Sequence, residues 1–331
     1  MRKFDYSFVS NLQVPAETVS KMIRISALEK RLELLRARPC GSAEAAEYAF
    51  AFDAGADRTG YARCLALLPS YLQAGFCGET LRKLHGTLLS PSGNPGAGFF
   101  APDDGLISEE DASGIRRVRF RPVRSAEIPS AVDAICSSYC SVLRRGAEPL
   151  ILVPCAVTDL LCVSPFSTAT PALSVLVLRL LLTAAGYPAC PCMPLEKNMS
   201  EGKENFFSAV KLSSAGWSAG SGDYMPVIRA LTDVLLAACE EADAALPRSI
   251  PARQGGENGK KKKGSRIESA VLDSERPLSK SEICAMLPDV SVSTVEAVLG
   301  KLCRNGMISM SGSGRSARYA RTGSGDQGCP G

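Results

Sequence analysis

The sequence predicts a mostly α protein of two domains: a large helical domain with one small β-hairpin, then a winged helix-turn-helix module. Three observations carry that reading. Apolar residues recur at helical spacing through most of residues 14–246. A stretch rich in glycine, proline and lysine interrupts the chain at 247–264. Capping, turn and strand signals then follow in close order from 265 to 321.

The first helix is expected over 14–35, where Val19, Met22, Ile23, Ile25, Leu28, Leu32 and Leu35 share a stripe. Further helices are expected over 79–90, 126–145, 149–163, 171–186, 200–214 and 224–246. Residues 90–105 (SPSGNPGAGFFAPDDG) read as a loop. Arg117-Val-Arg-Phe-Arg121 alternates strictly, with Val118 and Phe120 on one side and three arginines on the other. With Leu106-Ile107 before it and Ser113-Gly114 as a turn, it makes a small hairpin. Its arginine face suits a phosphate or an extended peptide, or simply keeps an exposed strand soluble.

Composition sets the class. At 331 residues, 45% hydrophobic and 22% charged, the chain is an ordinary globular protein of two or three domains. Met1-Arg-Lys-Phe-Asp-Tyr-Ser lacks an apolar core, so no signal peptide is expected. The longest apolar run, Leu173 to Leu182, is broken by Arg179 and is too short for a bilayer, so it predicts a buried helix and no membrane partner. The 13 cysteines lie mostly singly in apolar runs. Cys190-Pro-Cys192 and Cys136-x-x-x-Cys140 are the close pairs, and there is a single histidine. That pattern argues against a metal site and for free thiols in a reducing cytoplasm. Residues 260–321 hold 12 Lys/Arg against 6 Asp/Glu, a surplus of +6, so the remainder of the +4 chain carries −2.

In the C-terminal module, residues 266–274 present Ile267, Ala270 and Val271 on one helical face, ending before Pro277. Ser279 begins a capping box with Glu282 and starts a helix through Leu287. Pro288-Asp289 makes the turn, and 292–305 form a third helix burying Val292, Val295, Val298, Leu299 and Leu302. Asn305-Gly306 stops it. Met307-Ile-Ser-Met, Gly312-Ser-Gly314 and Arg315-Ser-Ala-Arg318-Tyr319 read as strand, turn, strand. In a winged helix-turn-helix the third helix enters the major groove and the wing touches backbone. Ser293, Thr294 and Lys301 on the helix, and Arg315 and Arg318 on the wing, are the candidate DNA contacts. Against them stands Glu296, which repels phosphate, and the lack of an arginine placed to grip guanine. A protein-interaction module is the other reading. The Lys260–Lys263 run adds salt-sensitive, non-specific attraction.

Leu150 to Leu182 resembles the core of the Fic (Fido-domain) family. Phe4-Asp-Tyr-Ser-Phe8 with Leu12 and Pro15, Gly60-Tyr61, Leu84-His85 and Asp103-Asp104 fall in the family's order. So do Arg117-Val-Arg-Phe120 with Pro122, Ser213-Ser214-x-Gly216-Trp217 and Tyr224-x-Pro226. The module, with Ser279-Lys-Ser-Glu-Ile283, Thr294-Val-Glu296 and Gly312-x-Gly-Arg315, is similar to one that many members carry.

The resemblance implies transfer of AMP from ATP to a protein hydroxyl, by a loop reading His-Pro-Phe-x-Asp/Glu-Gly-Asn-Gly-Arg. Its histidine is the base, its carboxylate holds Mg²⁺, its glycines and helix N-terminus cradle phosphates, and its arginine grips one. This chain has Ser164-Pro165-Phe166-Ser167-Thr168-Ala169-Thr170-Pro171-Ala172 instead. Pro165 and Phe166 match. The base position is Ser164, the metal position Thr168, the glycine positions Ala169 and Pro171, and the arginine position Ala172. His85 lies outside the loop, an unpromising substitute, while Thr170-Pro171 still reads as an N-cap and first turn. The family's helices over 24–56, with an inhibitory Ser/Thr-x-x-x-Glu-Gly/Asn motif, have no counterpart in this stretch. Ser200-x-x-x-Glu204-Asn205 fits by letters but lies after the loop.

The expected organisation is a partly divergent Fic-associated segment over 1–56, a Fic-like domain over 57–246 and a flexible basic linker over 247–264. The winged helix-turn-helix at 265–321 and a disordered tail at 322–331 complete it. The expected function is that of a pseudoenzyme regulating through DNA or a protein partner, with no cofactor. A Fic-type adenylyltransferase using ATP and Mg²⁺ at an unconventional site is the alternative, and a drifting copy without function the third.

Overall fold

The computed structural model describes residues 3–35, 37–110, 116–246, 263–272, 274, 276–287, 290–312 and 317–322. The turn at Ser113-Gly114, most of the basic linker, Pro288-Asp289, Arg315 and the tail beyond 322 lie outside the described residues. The chain divides into two compact units, Met1–Pro247 and Arg248–Gly331.

The larger unit opens with a 3-10 helix, Ser7–Asn11, and α1 (Ala16–Leu34), which packs on α11 (Met225–Ala245) and buries Met22, Ile25 and Leu32. Three short helices follow: α2 (Ser42–Phe52), α3 (Arg58–Ala66) and α4 (Leu68–Ala74). The α2 helix corrects the expectation that helices are missing from 24–56. Its alanine-rich sequence gives little periodic contrast, yet Ala45, Ala46, Ala49 and Phe52 form a buried stripe. Next come α5 (Gly78–Leu89), the antiparallel hairpin β1 (Ile107–Glu110) and β2 (Arg116–Phe120), and α6 (Ile128–Arg144). In the hairpin Phe120 is buried against Trp217, but Val118 stays exposed, because the pairing register shifts between Ile107 and Ser108.

The core is built on α7 (Pro149–Val163) and α8 (Thr170–Ala184). Eleven of the fifteen residues of α8 are buried, and it packs against α2, α4, α5, α7 and α9 (Leu195–Glu201). This is the buried helix that the apolar run predicts. Arg179 is buried with it, forked onto Glu196 at 3.1 Å and 2.6 Å and donating to the carbonyls of Cys190 and Met193. The helix expected over 200–214 is two, α9 (Leu195–Glu201) and α10 (Lys203–Ser213), broken at Gly202. The unit closes with α11 (Met225–Ala245). Among the described residues no helix is long and apolar enough to cross a membrane, and the twelve described cysteines are all free.

The smaller unit contains α12 (Lys263–Leu272), β3 (Leu278–Ser279), α13 (Lys280–Met286), α14 (Val292–Arg304), β4 (Ile308–Ser311) and β5 (Arg318–Arg321). Ser279 and Glu282 form both halves of the expected capping box. Ile267, Val271, Ile283, Val295, Leu299, Leu302 and Tyr319 build the core. Val292, expected inside, is 54% exposed, because it is the first helical residue and the buried stripe begins at Val295. The sheet is antiparallel in the order β3-β5-β4, so the two expected strands gain a third, Leu278–Ser279, from the segment before α13.

Candidate functional site

The loop between α7 and α8 is fixed by backbone geometry. Ser164 and Ala169 are the only non-glycine residues with positive φ among those described, at 49° and 57°. An L residue in that region costs roughly 1–2 kcal/mol, so the fold imposes these conformations on side chains that do not favour them. Pro165 accepts a hydrogen bond from the Ala101 amide at 2.9 Å, and Phe166 is buried against Phe100 and His85.

His85 lies directly beneath this loop, a proximity that sequence position does not convey. Its ring stacks on Phe166 at 4.0 Å between centroids. The Gly98 amide donates to Nδ1 at 3.1 Å, which leaves Nε2 to carry the proton and donate to the Thr168 carbonyl at 3.2 Å. Both nitrogens are engaged and the ring is 1% exposed, so it is a strut of the loop rather than a base. Burial holds its pKa below the ordinary 6.5, an effect the Thr168 bond only partly offsets. His85 therefore stays neutral in the folded protein while the unfolded chain takes up a proton. Its contribution to stability is full above pH 6.5 and falls as pH drops through that value. As His85 is the chain's single histidine, its NMR titration is unambiguous. A midpoint below 6.5 is expected, and a midpoint above it would remove the strut assignment.

Ser164 is half-buried, Thr168 is exposed, and Ala172 is fully buried. Thr170 is not the N-cap that its type suggests. Ala169 occupies that position, and the Thr170 hydroxyl donates back to the Phe166 carbonyl at 3.2 Å. The capping role passes to Asp53, 119 residues earlier. Asp53 Oδ2 accepts from the Ala172 amide at 3.1 Å, and Oδ1 from the Gly55 amide at 2.9 Å. A carboxylate from the segment after α2 thus sits at the positive end of α8, where free amides and the helix dipole favour an anion. The fit is close: a Cβ at Gly55 would come within 3.2 Å of the Ala169 nitrogen. Sequence gives no sign of this contact, which joins an aspartate in an unassigned loop to a distant amide.

Several residues that carry the sequence resemblance meet at Asp159, a buried carboxylate of α7. It accepts from the hydroxyls of Tyr6 at 2.7 Å and Tyr224 at 2.8 Å, and from the Trp217 indole at 2.6 Å. Phe8 stacks on Tyr224, while Phe4 and Phe120 pack on Trp217. On the hairpin, Arg119 donates to the Ser214 hydroxyl at 2.9 Å.

In the smaller unit Ser293 and Lys301 are exposed and Thr294 is half-buried. The Ser291 hydroxyl pairs with those of Ser293 and Thr294 at 3.1 Å and 2.7 Å. Glu296 is ion-paired with Lys280 at 2.6 Å, which masks the negative charge read as repelling phosphate. Arg318 reaches Glu282 at 3.2 Å. Backbone amide donation from Ser279, with Arg276 alongside, holds the Glu282 pKa at about 2.

No family model matches this sequence, and no curated protein does. Solved structures do. A Fic family protein from Desulfovibrio desulfuricans G20 is 12% identical, with a TM-score of 0.55, over 96% of this chain and 99% of that chain. A Fic domain containing signaling protein from Bacteroides thetaiotaomicron VPI-5482 is 16% identical over 56% of this chain and 71% of its own, with a TM-score of 0.47. Fic-1 from C. elegans is 18% identical over 57% and 51%, with a TM-score of 0.42. The first of these overlays spans both chains almost end to end, and by it the protein has the Fic fold.

Proposed function

We propose that this Fic-fold chain is a pseudoenzyme, without AMP transfer, that regulates by contacting DNA through a winged helix-turn-helix over 265–321. The observation that carries the first half is the Asp53 carboxylate on the Ala172 amide, in a loop whose side chains offer no base and no cation. These residues do not fit a metal–nucleotide pair. Thr168 is a neutral, exposed hydroxyl, Pro171 has no amide hydrogen, and Ala172 ends in a methyl group. Among the described residues no three His, Cys, Asp or Glu side chains gather as metal ligands. Losing a general base alone removes about 10²–10⁴ in rate, and an anion-hole donor about 10²–10³ more.

The second half is supported by the order of elements in the smaller unit and by the exposed face of α14, with Ser293, Lys301 and a neutralised Glu296. Arg318 and Arg315 complete the candidate contacts, Arg318 from a position already shared with Glu282.

One set of measurements on the full chain tests both halves. Incubation with labelled ATP and Mg²⁺ or Mn²⁺ should leave no label on the protein or on added targets, and labelling would restore the adenylyltransferase reading. Gel-shift titration should give binding that weakens with salt, by roughly 0.9 log units per tenfold salt for each phosphate neutralised. No binding at low salt would sink the DNA contact and leave the module to a protein partner.

A further inference from the structure

The larger unit contains a cavity of about 630 Å³ that shares no residue with the 164–172 loop. It lies where the end of α1, the 37–41 segment, α2, α9 and the last turn of α11 meet. Sites for small organic molecules span roughly 300–1,000 Å³ and are mostly apolar and largely pre-formed. Leu35, Ala37, Ala45, Pro194, Ala242 and Leu246 supply the apolar wall here. Bonds to backbone hold that wall in place. The Cys40 amide donates to the Pro191 carbonyl at 3.0 Å, and the Cys40 thiol to the Cys192 carbonyl at 3.2 Å. The Cys192 thiol donates in turn to the Ala37 carbonyl at 3.1 Å. Both sulfurs thus belong to the frame rather than to a ligand.

We propose that this cavity binds a small, free carboxylate with an apolar body, of the medium-chain fatty acid class, its head on Arg38 and its tail along the wall. The charges that line the cavity select the sign. Glu196 is bonded to Arg179 and Tyr61, and Lys197 is paired with Glu241 at 2.7 Å. Asn198 takes the other Glu241 oxygen at 3.2 Å. Arg38 and Glu44 remain, both exposed and without an ion pair among the described residues. Glu44 stands in the first turn of α2, where the helix dipole compensates a carboxylate, and the N-cap there, Gly41, brings no side chain of its own. Arg38 has no such compensation, so the charge left unanswered is positive. A guanidinium accepts both oxygens of one carboxylate as hydrogen-bond partners. The Tyr48 hydroxyl, half-buried in the same lining, is a second donor.

The test is equilibrium dialysis of the full, reduced chain against labelled octanoate, with octanol and octylammonium as competitors. Octanoate should bind at one saturable site. Each methylene added up to decanoate should tighten binding about fourfold. Octanol, which keeps the tail and loses the charge, should compete about tenfold more weakly or worse, and octylammonium should not compete. Arg38→Gln should weaken octanoate about tenfold or more. Gly41 has an ordinary φ of −62°, and a Cβ added there meets no atom within 4 Å. Gly41→Phe should therefore keep the circular dichroism and melting of the parent while crowding the cavity and abolishing binding. No saturable octanoate binding would overturn the proposal, and so would affinity unchanged in both variants. Competition by octylammonium equal to that of unlabelled octanoate would overturn the assigned sign and turn attention to Glu44.

Discussion

Replacing Asp159 with alanine is expected to destabilise the larger unit by about 3–5 kcal/mol, read as a fall in the urea midpoint. The variant strands two tyrosine hydroxyls and an indole N–H, all buried, that converge on one carboxylate. Asparagine at the same position should cost less, about 1–2 kcal/mol. Its oxygen would serve the Trp217 N–H, which can only donate, and its amide would face hydroxyls that can turn to accept. Trp217 is the sole tryptophan, so its emission reports the site directly, with a red shift expected in the alanine variant. A loss below about 1 kcal/mol with unshifted emission would show that the aromatic packing alone secures the N-terminal segment.

The Arg179–Glu196 pair gives the second large effect. Both side chains are almost fully buried, and Glu196 also accepts from the Tyr61 hydroxyl at 3.1 Å. Arg179→Met should cost about 3–5 kcal/mol, because it leaves a carboxylate in a dry interior without its cation. Adding Glu196→Leu should recover most of that loss, since the penalty lies in the orphaned charge rather than in the missing attraction. A double variant no more stable than the single one would place the cost instead in the unmet carbonyls of Cys190 and Met193.

Local chemistry was legible in the sequence where one short segment contains both partners. The Ser279–Glu282 capping box, the Asn305-Gly306 stop and the apolar stripes of α1, α7, α8 and α11 are of this kind. So are the residue types at Ser164, Thr168 and Ala172, read directly from the sequence. What escaped depends on distance in the chain. The carboxylate that caps α8 comes from Asp53, and the side chain that gathers Tyr6, Trp217 and Tyr224 is Asp159. Neither pairing leaves a mark in spacing. The short helices α2, α3 and α4 escaped for another reason. Alanine, glycine and proline blur their patterns, and tertiary packing rather than amphipathic contrast holds them. Thr170 misled because a good capping residue needs a free place at the helix start, and Ala169 in a left-handed conformation already fills it.

Asp53 has a kinetic and thermodynamic corollary for any solute that approaches the start of α8. A tethered group competes as though dissolved at millimolar concentration or above, without ever diffusing away. A free phosphate or carboxylate must evict that resident before it gains a single backbone N–H, so micromolar anions of ordinary affinity lose the contest. Loosening the tether, by lengthening the 53–57 connection or shifting α2, would open the same amides to solution without altering one residue of the 164–172 turn.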